Sequence, residues 1–493
     1  MAHLDAIDAV LFDVGNTLVT QNNPGLPFSE LKVEILPGVR ELLETLFERK
    51  KLALVSNSKQ LTAEEIMQKL SEVDLAKYFD VCISSLDVGF EKPSPIPLSI
   101  ALERLGVQAK RALYVGDIDT DKEAAHAAGM KFMFTGQNIN KAFENYISHP
   151  DSAWDRAKNC TIELSLEKEK QVLDGFNALV KPQGSLGKLE KYTAQISKIS
   201  GASPVIDPCA VAVFVADHGI AKDDSVTPWP QSITSLMADL IIDGEAGISS
   251  LAANSNIYIE VVNVGTTTNP KSEFIKNYHV AAGTKDFRNE AAMTTEQLFL
   301  ALDAGAQTAE RLVAGGSRSL CTGEVGIGNT TASAILIGSI CQASAEEITG
   351  YGSGIPQEIF ANKVRIVNEA LANTKGNDPV EILASHGGLE IAALVGFIIR
   401  GATLSVPIIL DGVITLAAAC IAVQIRPEVG GALIAGHCST EPASQVAIKY
   451  LGLDPVLDLN LRLGEGTGAA LSIPILRAGC VAYEKMGKLT NYI

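Results

Sequence analysis

Glu465 sits between two glycines in DLNLRLGEGTGAALSIP (458–474), the setting in this 493-residue chain best suited to proton transfer. Gly464, Gly466 and Gly468 let backbone N–H groups approach a ligand closely, and the small-residue helix expected to follow offers its N-terminus to an anion. Arg462, just ahead of the glycines, adds a positive charge. A carboxylate beside a phosphate-sized anion site has the makings of a general base next to a nucleotide. The same design recurs in GEVGIGNTTASAIL (323–336), where Glu324 lies among glycines. There Gly326, Gly328, Asn329, Thr330 and Thr331 lead into a second helix of small residues. KPQGSLGKLE (181–190) is a basic, glycine-rich approach to a helix, and PIILDGVITLAAA (407–419) reads as a buried strand ending at Asp411.

A second set of reactive residues lies near the N-terminus. DVGNTL puts Asp13 at the end of an expected first strand, and VSNS puts Ser56 at the end of a second. EKPSP supplies Lys92, and VGDIDTDKEAAHAAG supplies Asp117 and Asp121. An aspartate, a hydroxyl, a lysine and two further carboxylates make a phosphate site for covalent catalysis. Their oxygen donors suit a hard cation that bridges them to phosphate.

These residues need rigid elements to converge. Residues 8–136 alternate apolar strands (AVLFDV, LALVSN, VCISS, ALYVGD, KFMFTG) with amphipathic helices, the pattern of a doubly wound parallel sheet. Residues 137–163 turn polar and irregular, with the helix-breaking His149, Pro150 and Asp151 near their centre. A second pattern starts at 164, with strands expected at 210–217, 257–265, 319–326 and 406–412 among Ala- and Gly-rich helices. The expected architecture is therefore α/β in two domains. Residues 1–140 carry a Rossmann-like sheet, 141–160 form a linker, and 161–493 carry a parallel sheet with additional helices.

Composition narrows the function classes. Forty Lys and Arg against 57 Asp and Glu leave a net charge of −17, which argues against nucleic-acid and anionic-membrane partners. The eight cysteines contain no CxxC pair, so neither a metal cage nor a disulfide framework is expected, and a reducing cytoplasm is the expected compartment. The N-terminus carries aspartates where a signal peptide needs basic residues. Arg400 and Asp411 cut the most apolar stretch, 391–424, into pieces shorter than the roughly 20 residues of a membrane span. It reads as buried helix, strand, helix.

From about Leu164 onward, the four C-terminal motifs, in this order and with ADHGIA (216–221) and HCSTEP (437–442), resemble the nicotinate-nucleotide:dimethylbenzimidazole phosphoribosyltransferase family. The resemblance implies transfer of the phosphoribosyl group of nicotinate mononucleotide to an aromatic base in cobalamin lower-ligand synthesis. It implies no cofactor in this domain and a homodimer with the site near the subunit interface. Glu465 would be the base, with Gly464 and Gly466 beside the substrate and Glu324 opposite. Gly326, Gly328, Asn329 and Thr330 would cradle the phosphate, which Lys363 would also bind. Arg462 belongs to the matching motif, Asp411 would close the site, and Trp229 of TPWPQSIT (227–234) would meet the acceptor.

The N-terminal motifs resemble the haloacid dehalogenase superfamily of phosphohydrolases. By that resemblance Asp13 is the nucleophile, Ser56 binds phosphate, and Lys92 neutralises the aspartyl phosphate. Mg2+ would be held by Asp13, Asp117, Asp121 and the backbone carbonyl of Gly15. Gly15 replaces the aspartate that the family uses as acid/base, and the segment after DVGNTL is too short for a cap domain.

Other readings compete on the residues alone. Arg462 could pair with Asp458, and Lys363 could be a solvated helix residue. Trp229 could stack on a fused ring or shield its loop. His218, His386 and His437 read as hydrogen-bonded loop histidines rather than metal ligands. The C-terminal domain could instead be a nucleotide N-glycosidase, and the N-terminal domain a non-catalytic binding or assembly module.

Overall fold

In the computed structural model, the apolar runs of the N-terminal region become β1 (Ala9–Phe12), β4 (Lys51–Ser56), β5 (Val81–Ser84), β6 (Ala112–Gly116) and β7 (Lys131–Phe134). They form one sheet in the order β5-β4-β1-β6-β7, every neighbour parallel. β1 and β6 are buried along their whole length, as parallel strands covered on both faces must be. The chain winds outward from β1 to β5 and returns at β6, which leaves a crevice beyond the ends of β1 and β6. A short antiparallel pair, β2 (Val19–Gln21) and β3 (Val33–Ile35), follows β1. The structure describes residues 7–21, 32–135, 138–148, 152–352, 354–374 and 376–491. Contacts divide the chain into one unit of Met1–Arg156 with Val313–Gly316 and another of Ala157–Leu312 with Ser317–Ile493.

The segment expected to be irregular is largely helical, with helices at Ile139–Ser148 and Ala153–Asn159. Ile139, Ala142, Phe143 and Tyr146 fall at helical spacing and bury in the core of the first unit. Polar residues on the other face hide that period from a reading of composition. His149, Pro150 and Asp151 lie outside the described residues.

The second unit has a six-stranded sheet. Its strands are β8 (Cys209–Ala216), β9 (Tyr258–Gly265), β10 (Lys276–Asn277), β11 (Ser319–Val325), β12 (Ile408–Leu410) and β13 (Leu433–Ala435). The order is β10-β9-β8-β11-β12-β13, again parallel throughout. The four expected strands are β8, β9, β11 and β12, and each edge gains a strand too short for a periodic signal. The apolar stretch 391–424 folds as the helix Leu389–Thr403, β12 and the helix Val413–Ile425. Buried Arg400 is neutralised there by Glu310 at 2.8 Å. No helix among the described residues is long and apolar enough to cross a membrane.

The helix Leu389–Thr403 is held at backbone distance by the helix Thr295–Ala314. A Cβ on Gly396 would lie 1.9 Å from the Leu302 carbonyl oxygen, and one on Gly305 would lie 1.7 Å from that of Ala393. Backbone cannot yield as a flexible side chain does. Gly396→Ala is expected to cost about 1–3 kcal/mol by overpacking, seen in calorimetry as a thermal midpoint several degrees lower; an unchanged midpoint would show that these helices part freely.

Candidate active sites

The GEG turn is built from left-handed backbone. Gly464, Glu465 and Gly466 have φ of 88°, 62° and 90°, so a non-glycine residue holds a conformation that side chains disfavour. Asp411, directly after β12, holds it there. Its Oδ2 accepts from Gly466 N at 3.2 Å, and its Oδ1 from Gly468 N at 2.7 Å and Ala469 N at 3.2 Å. It thereby satisfies orphan donors at the start of the helix Thr467–Lys485. The family resemblance would have Asp411 close the site on the substrate. Instead it is almost fully buried and does not line the cavity, so its role is to position the loop. Gly323 of β11 completes the seat: a Cβ there would lie 2.7 Å from the Glu465 carbonyl oxygen.

Glu465 is 6% exposed and faces the cavity. Its Oε2 accepts from Ile248 N at 3.1 Å, at the start of the helix Gly247–Ser255. Burial raises its pKa, the Ile248 N–H opposes the rise, and Asp411 adds to it. Glu324, near the end of β11, stands across from it, 2.9 Å from where a Cβ on Gly464 would be. Burial, then Asp411 and Glu390, push Glu324 up to about 8, while a short hydrogen bond from Asn329 Nδ2 opposes them. Glu324 is thus held largely protonated near neutral pH, across from Glu465.

These two residues line a cavity of about 440 Å³ that also takes in Gly326 to Thr331, Lys363, Arg462, Gly464 and Trp229. Gly328, with φ of 97°, turns the chain into the helix Asn329–Cys341, whose N-terminus opens on the cavity. Lys363 is buried rather than solvated. Its Nζ donates to Thr330 Oγ1 at 2.9 Å and to the Gly350 carbonyl at 3.0 Å. Burial lowers its pKa to about 8, with Glu441 opposing, so it remains mostly charged at neutral pH. Arg462 is exposed at the rim and donates to the Gly352 carbonyl at 3.1 Å rather than to Asp458. Trp229, 47% exposed, lines the same cavity with Ile233 and Met237.

The histidines divide. His218 is buried with Nε2 2.6 Å from Glu390 Oε1, and His386 lies outside the cavity against Phe287. His437 lines the cavity, 3.5 Å from Asp411, with its ring against Gly468. Sequence reasoning passes over it as a loop histidine. It also misses Glu441, whose Oε1 accepts from Gly352 N at 2.9 Å. Both belong to HCSTEP, so the motif itself was the available signal.

In the first unit, Asp13 follows β1, Ser56 ends β4 and Asp117 follows β6. Carboxylate oxygens of Asp13, Asp117 and Asp121 lie within 4.8 Å of one another. Lys92 Nζ is 2.6 Å from both Asp13 Oδ1 and Asp121 Oδ1. Burial alone would lower Lys92, but the two carboxylates raise it. Burial and the neighbouring Asp13 and Asp121 push Asp117 up to about 7. Three carboxylates against one ammonium leave uncompensated negative charge, and their oxygens are the donor chemistry of a hard divalent cation. Gly15, beside them in the chain, brings no carboxyl group.

Comparison with known proteins identifies the family of the second unit. A phosphoribosyltransferase family model matches residues 163–491. The nicotinate-nucleotide–dimethylbenzimidazole phosphoribosyltransferase of Halalkalibacterium halodurans is 38% identical over 326 residues, 65% of this chain and 91% of that protein. Its counterpart from Solidesulfovibrio magneticus is 41% identical over 320 residues, 64% of this chain and 90% of that protein. The chain belongs to the nicotinate-nucleotide–dimethylbenzimidazole phosphoribosyltransferase family. A solved phosphoribosyltransferase of this kind from Thermus thermophilus aligns with a TM-score of 0.63 at 34% identity, covering 66% of this chain and 98% of that one. A haloacid dehalogenase-like hydrolase model matches residues 26–135, beginning after Asp13 and Gly15.

Asp411→Asn keeps an acceptor oxygen but loses the charge that holds the phosphoribosyltransferase loop. The expected result is a loss of about 1–3 kcal/mol in stability and a kcat about tenfold lower at nearly unchanged KM. Calorimetry with steady-state kinetics checks both; a raised KM at constant kcat would instead mark Asp411 as a substrate contact.

Proposed function

We propose that residues 161–493 transfer the phosphoribosyl group of nicotinate mononucleotide to 5,6-dimethylbenzimidazole or a related base, giving α-ribazole 5′-phosphate and nicotinate in cobalamin lower-ligand synthesis. One ring nitrogen of the acceptor attacks the ribose carbon as the bond to the pyridinium nitrogen breaks. That nitrogen takes the bonding electrons and leaves neutral, so no acid is needed. Glu465 takes the proton from the acceptor's other nitrogen. A single in-line displacement inverts the sugar carbon, turning a β-nucleotide into an α-ribotide, and holding both rings in line supplies much of the rate. The observation that carries this reading is Glu465 fixed in left-handed backbone at the cavity wall, opposite a carboxyl held up to about 8. Trp229 and the apolar side chains near it support a flat acceptor, and Lys363 with Thr330 supports the phosphate end.

Mass spectrometry of products from nicotinate mononucleotide and a panel of aromatic bases tests the assignment. Nicotinate release that does not depend on the base would turn the reading into an N-glycosidase. Glu465→Gln should lower kcat by about 10²–10⁴-fold, the usual worth of general-base help. The pH profile carries its own sign. Glu465 must be ionised and its pKa is raised, so the acidic limb should lie above the ordinary glutamate value. Glu324 works protonated, so activity should fall as pH rises through about 8. Glu324→Gln should flatten that alkaline limb; a limb that survives the substitution belongs to another group.

We infer further that residues 1–140, joined through 141–160, form a Mg2+-dependent phosphatase acting on the α-ribotide. Asp13 Oδ would attack phosphorus as the ester bond to the 5′ oxygen breaks, and water would then release phosphate from the aspartyl intermediate. Bound Mg2+ would neutralise the phosphoryl oxygens, with Asp13, Asp117, Asp121 and the Gly15 carbonyl as its ligands. The converging carboxylates and the pairing of Lys92 with Asp13 support this assignment. With Gly15 in place of a carboxylic acid, the departing alkoxide must draw its proton from water, so turnover should be slow. Phosphate release from α-ribazole 5′-phosphate with Mg2+ tests it, and activity that Asp13→Asn leaves intact rules it out. Asp117 must ionise to bind the cation, so Mg2+ affinity measured by calorimetry should rise between about pH 6 and pH 8. The scattered spacing of the eight cysteines supports a reducing cytoplasm. A homodimer completes the reading, and sedimentation at the mass of one chain would exclude it.

A further inference from the structure

Val226, Thr227 and Trp229 line the transferase cavity from one loop, which joins the turn at Gly219–Lys222 to the helix Ser232–Ile242. Pro228 and Pro230 flank the tryptophan and bring no N–H, so the tip has few donors with which to hold itself. Asp223 organises the start of this loop. Its Oδ1 accepts from Ser225 N at 2.9 Å and from Ser225 Oγ at 2.6 Å. Its carbonyl accepts from Val226 N at 2.9 Å and from Thr227 N at 3.4 Å. Thr227 Oγ1 in turn accepts from Trp229 N at 3.3 Å. A continuous chain of hydrogen bonds thus runs from Asp223 to the tryptophan.

The other carboxylate oxygen of Asp223 meets Arg288, whose Nη1 donates to Oδ2 at 2.8 Å across 65 positions. Arg288 is itself fixed from its other side. Nε donates to Asp286 Oδ1 at 3.0 Å, and Nη2 to Asp286 Oδ2 at 2.6 Å. That segment is anchored at the end of β8. Thr284 N donates to the Asp217 carbonyl at 2.9 Å, and Thr284 Oγ1 accepts from Gly219 N at 3.1 Å. A planar guanidinium can serve two carboxylates in fixed directions, which a flexible ammonium cannot. Phe287, between Asp286 and Arg288, packs against the cluster of Ile220, Val226 and Ile366.

We propose that Arg288 is a positioning residue for the acceptor: by bridging Asp223 to Asp286 it holds Val226, Thr227 and Trp229 in place against the incoming aromatic base. The proposal rests on the transferase reading of the cavity and adds to it the residue that fixes the acceptor wall. The Arg288 and Asp223 side chains are 32% and 34% exposed, so their pair contributes little to stability. What it supplies is direction. The loop has a second tie, from Asn362 Nδ2 to the Ser225 carbonyl and Oγ, both at 3.0 Å. Removing Arg288 therefore loosens the wall without releasing it.

Steady-state kinetics of the full-length protein test this, with nicotinate mononucleotide and 5,6-dimethylbenzimidazole varied in turn. Arg288→Gln should raise the KM for the base about tenfold while the KM for nicotinate mononucleotide stays within about twofold. Asp223→Asn keeps an acceptor oxygen for Ser225 but gives up the charge that holds Arg288, and should do the same. A KM does not depend on how much of the preparation is folded, so partial unfolding cannot imitate this split. A wild-type KM for the base in either variant overturns the proposal, as does an equal rise in both KM values. Wild-type protein that forms no α-ribotide from any base would instead remove the transferase assignment beneath it.

Discussion

The transferase site depends on one buried carboxylate holding a glutamate in a conformation that glutamate disfavours. A side chain in the left-handed region costs on the order of 1 kcal/mol, and Asp411 offsets it with three backbone N–H bonds around Gly466, Gly468 and Ala469. The flanking glycines let the chain enter and leave that turn, and Gly323 on β11 leaves room for it to dock. The carboxylate of Glu465 is consequently fixed before any ligand arrives. Its Oε2 meets the N-terminus of the helix Gly247–Ser255, which favours the anion, while burial and Asp411 favour the neutral form. That balance suits a group that must be ionised and yet eager for a proton.

Both units work by crowding like charge. Glu324 and Glu465 line the cavity, Asp411 and Glu390 lie close enough to raise the Glu324 pKa, and the cations Lys363 and Arg462 also line the cavity. The transferase site relieves the crowding with backbone N–H groups and by keeping Glu324 protonated. The first unit relieves it with Lys92, shared between Asp13 and Asp121, and still leaves Asp117 pushed up to about 7. A phosphate arriving between such carboxylates would be repelled unless a cation came with it. The same crowding holds a carboxyl protonated in one unit and leaves uncompensated negative charge among three aspartates in the other.

The sequence made the α/β architecture legible because both sheets are parallel and their strands are continuous apolar runs, as in β1, β6 and β8. It failed where the signal was short or two-faced. β10 and β13 have too few residues for a period, and the amphipathic helix Ile139–Ser148 hid among polar neighbours. The carboxylates and glycines of the site were legible by type, and Glu465, Glu324, Lys363 and Trp229 do line one cavity. The role of Asp411 was not. Whether a carboxylate at a strand end meets a ligand or caps a helix depends on which donors the fold brings to it, and those donors lie more than fifty residues away in Gly466–Ala469. Glu390 and His218 were opaque for the same reason, since they meet across 172 positions.

The two chemistries also differ in what their leaving groups demand. A pyridinium departs neutral, so the transferase needs a base and no acid toward the leaving group, and its second carboxyl is free to orient. A phosphomonoester departs as an alkoxide, and the proposed hydrolase has lost its acid at Gly15. One chain therefore carries a site with a carboxyl to spare and another that lacks one. The carboxyls and loop of the transferase site are held by Asp411, Asn329 and the Ile248 N–H. If the second step occurs, its rate is set by how readily water supplies the proton that Gly15 cannot. The slow partner in such a pair limits the formation of the riboside and leaves the upstream transfer unaffected.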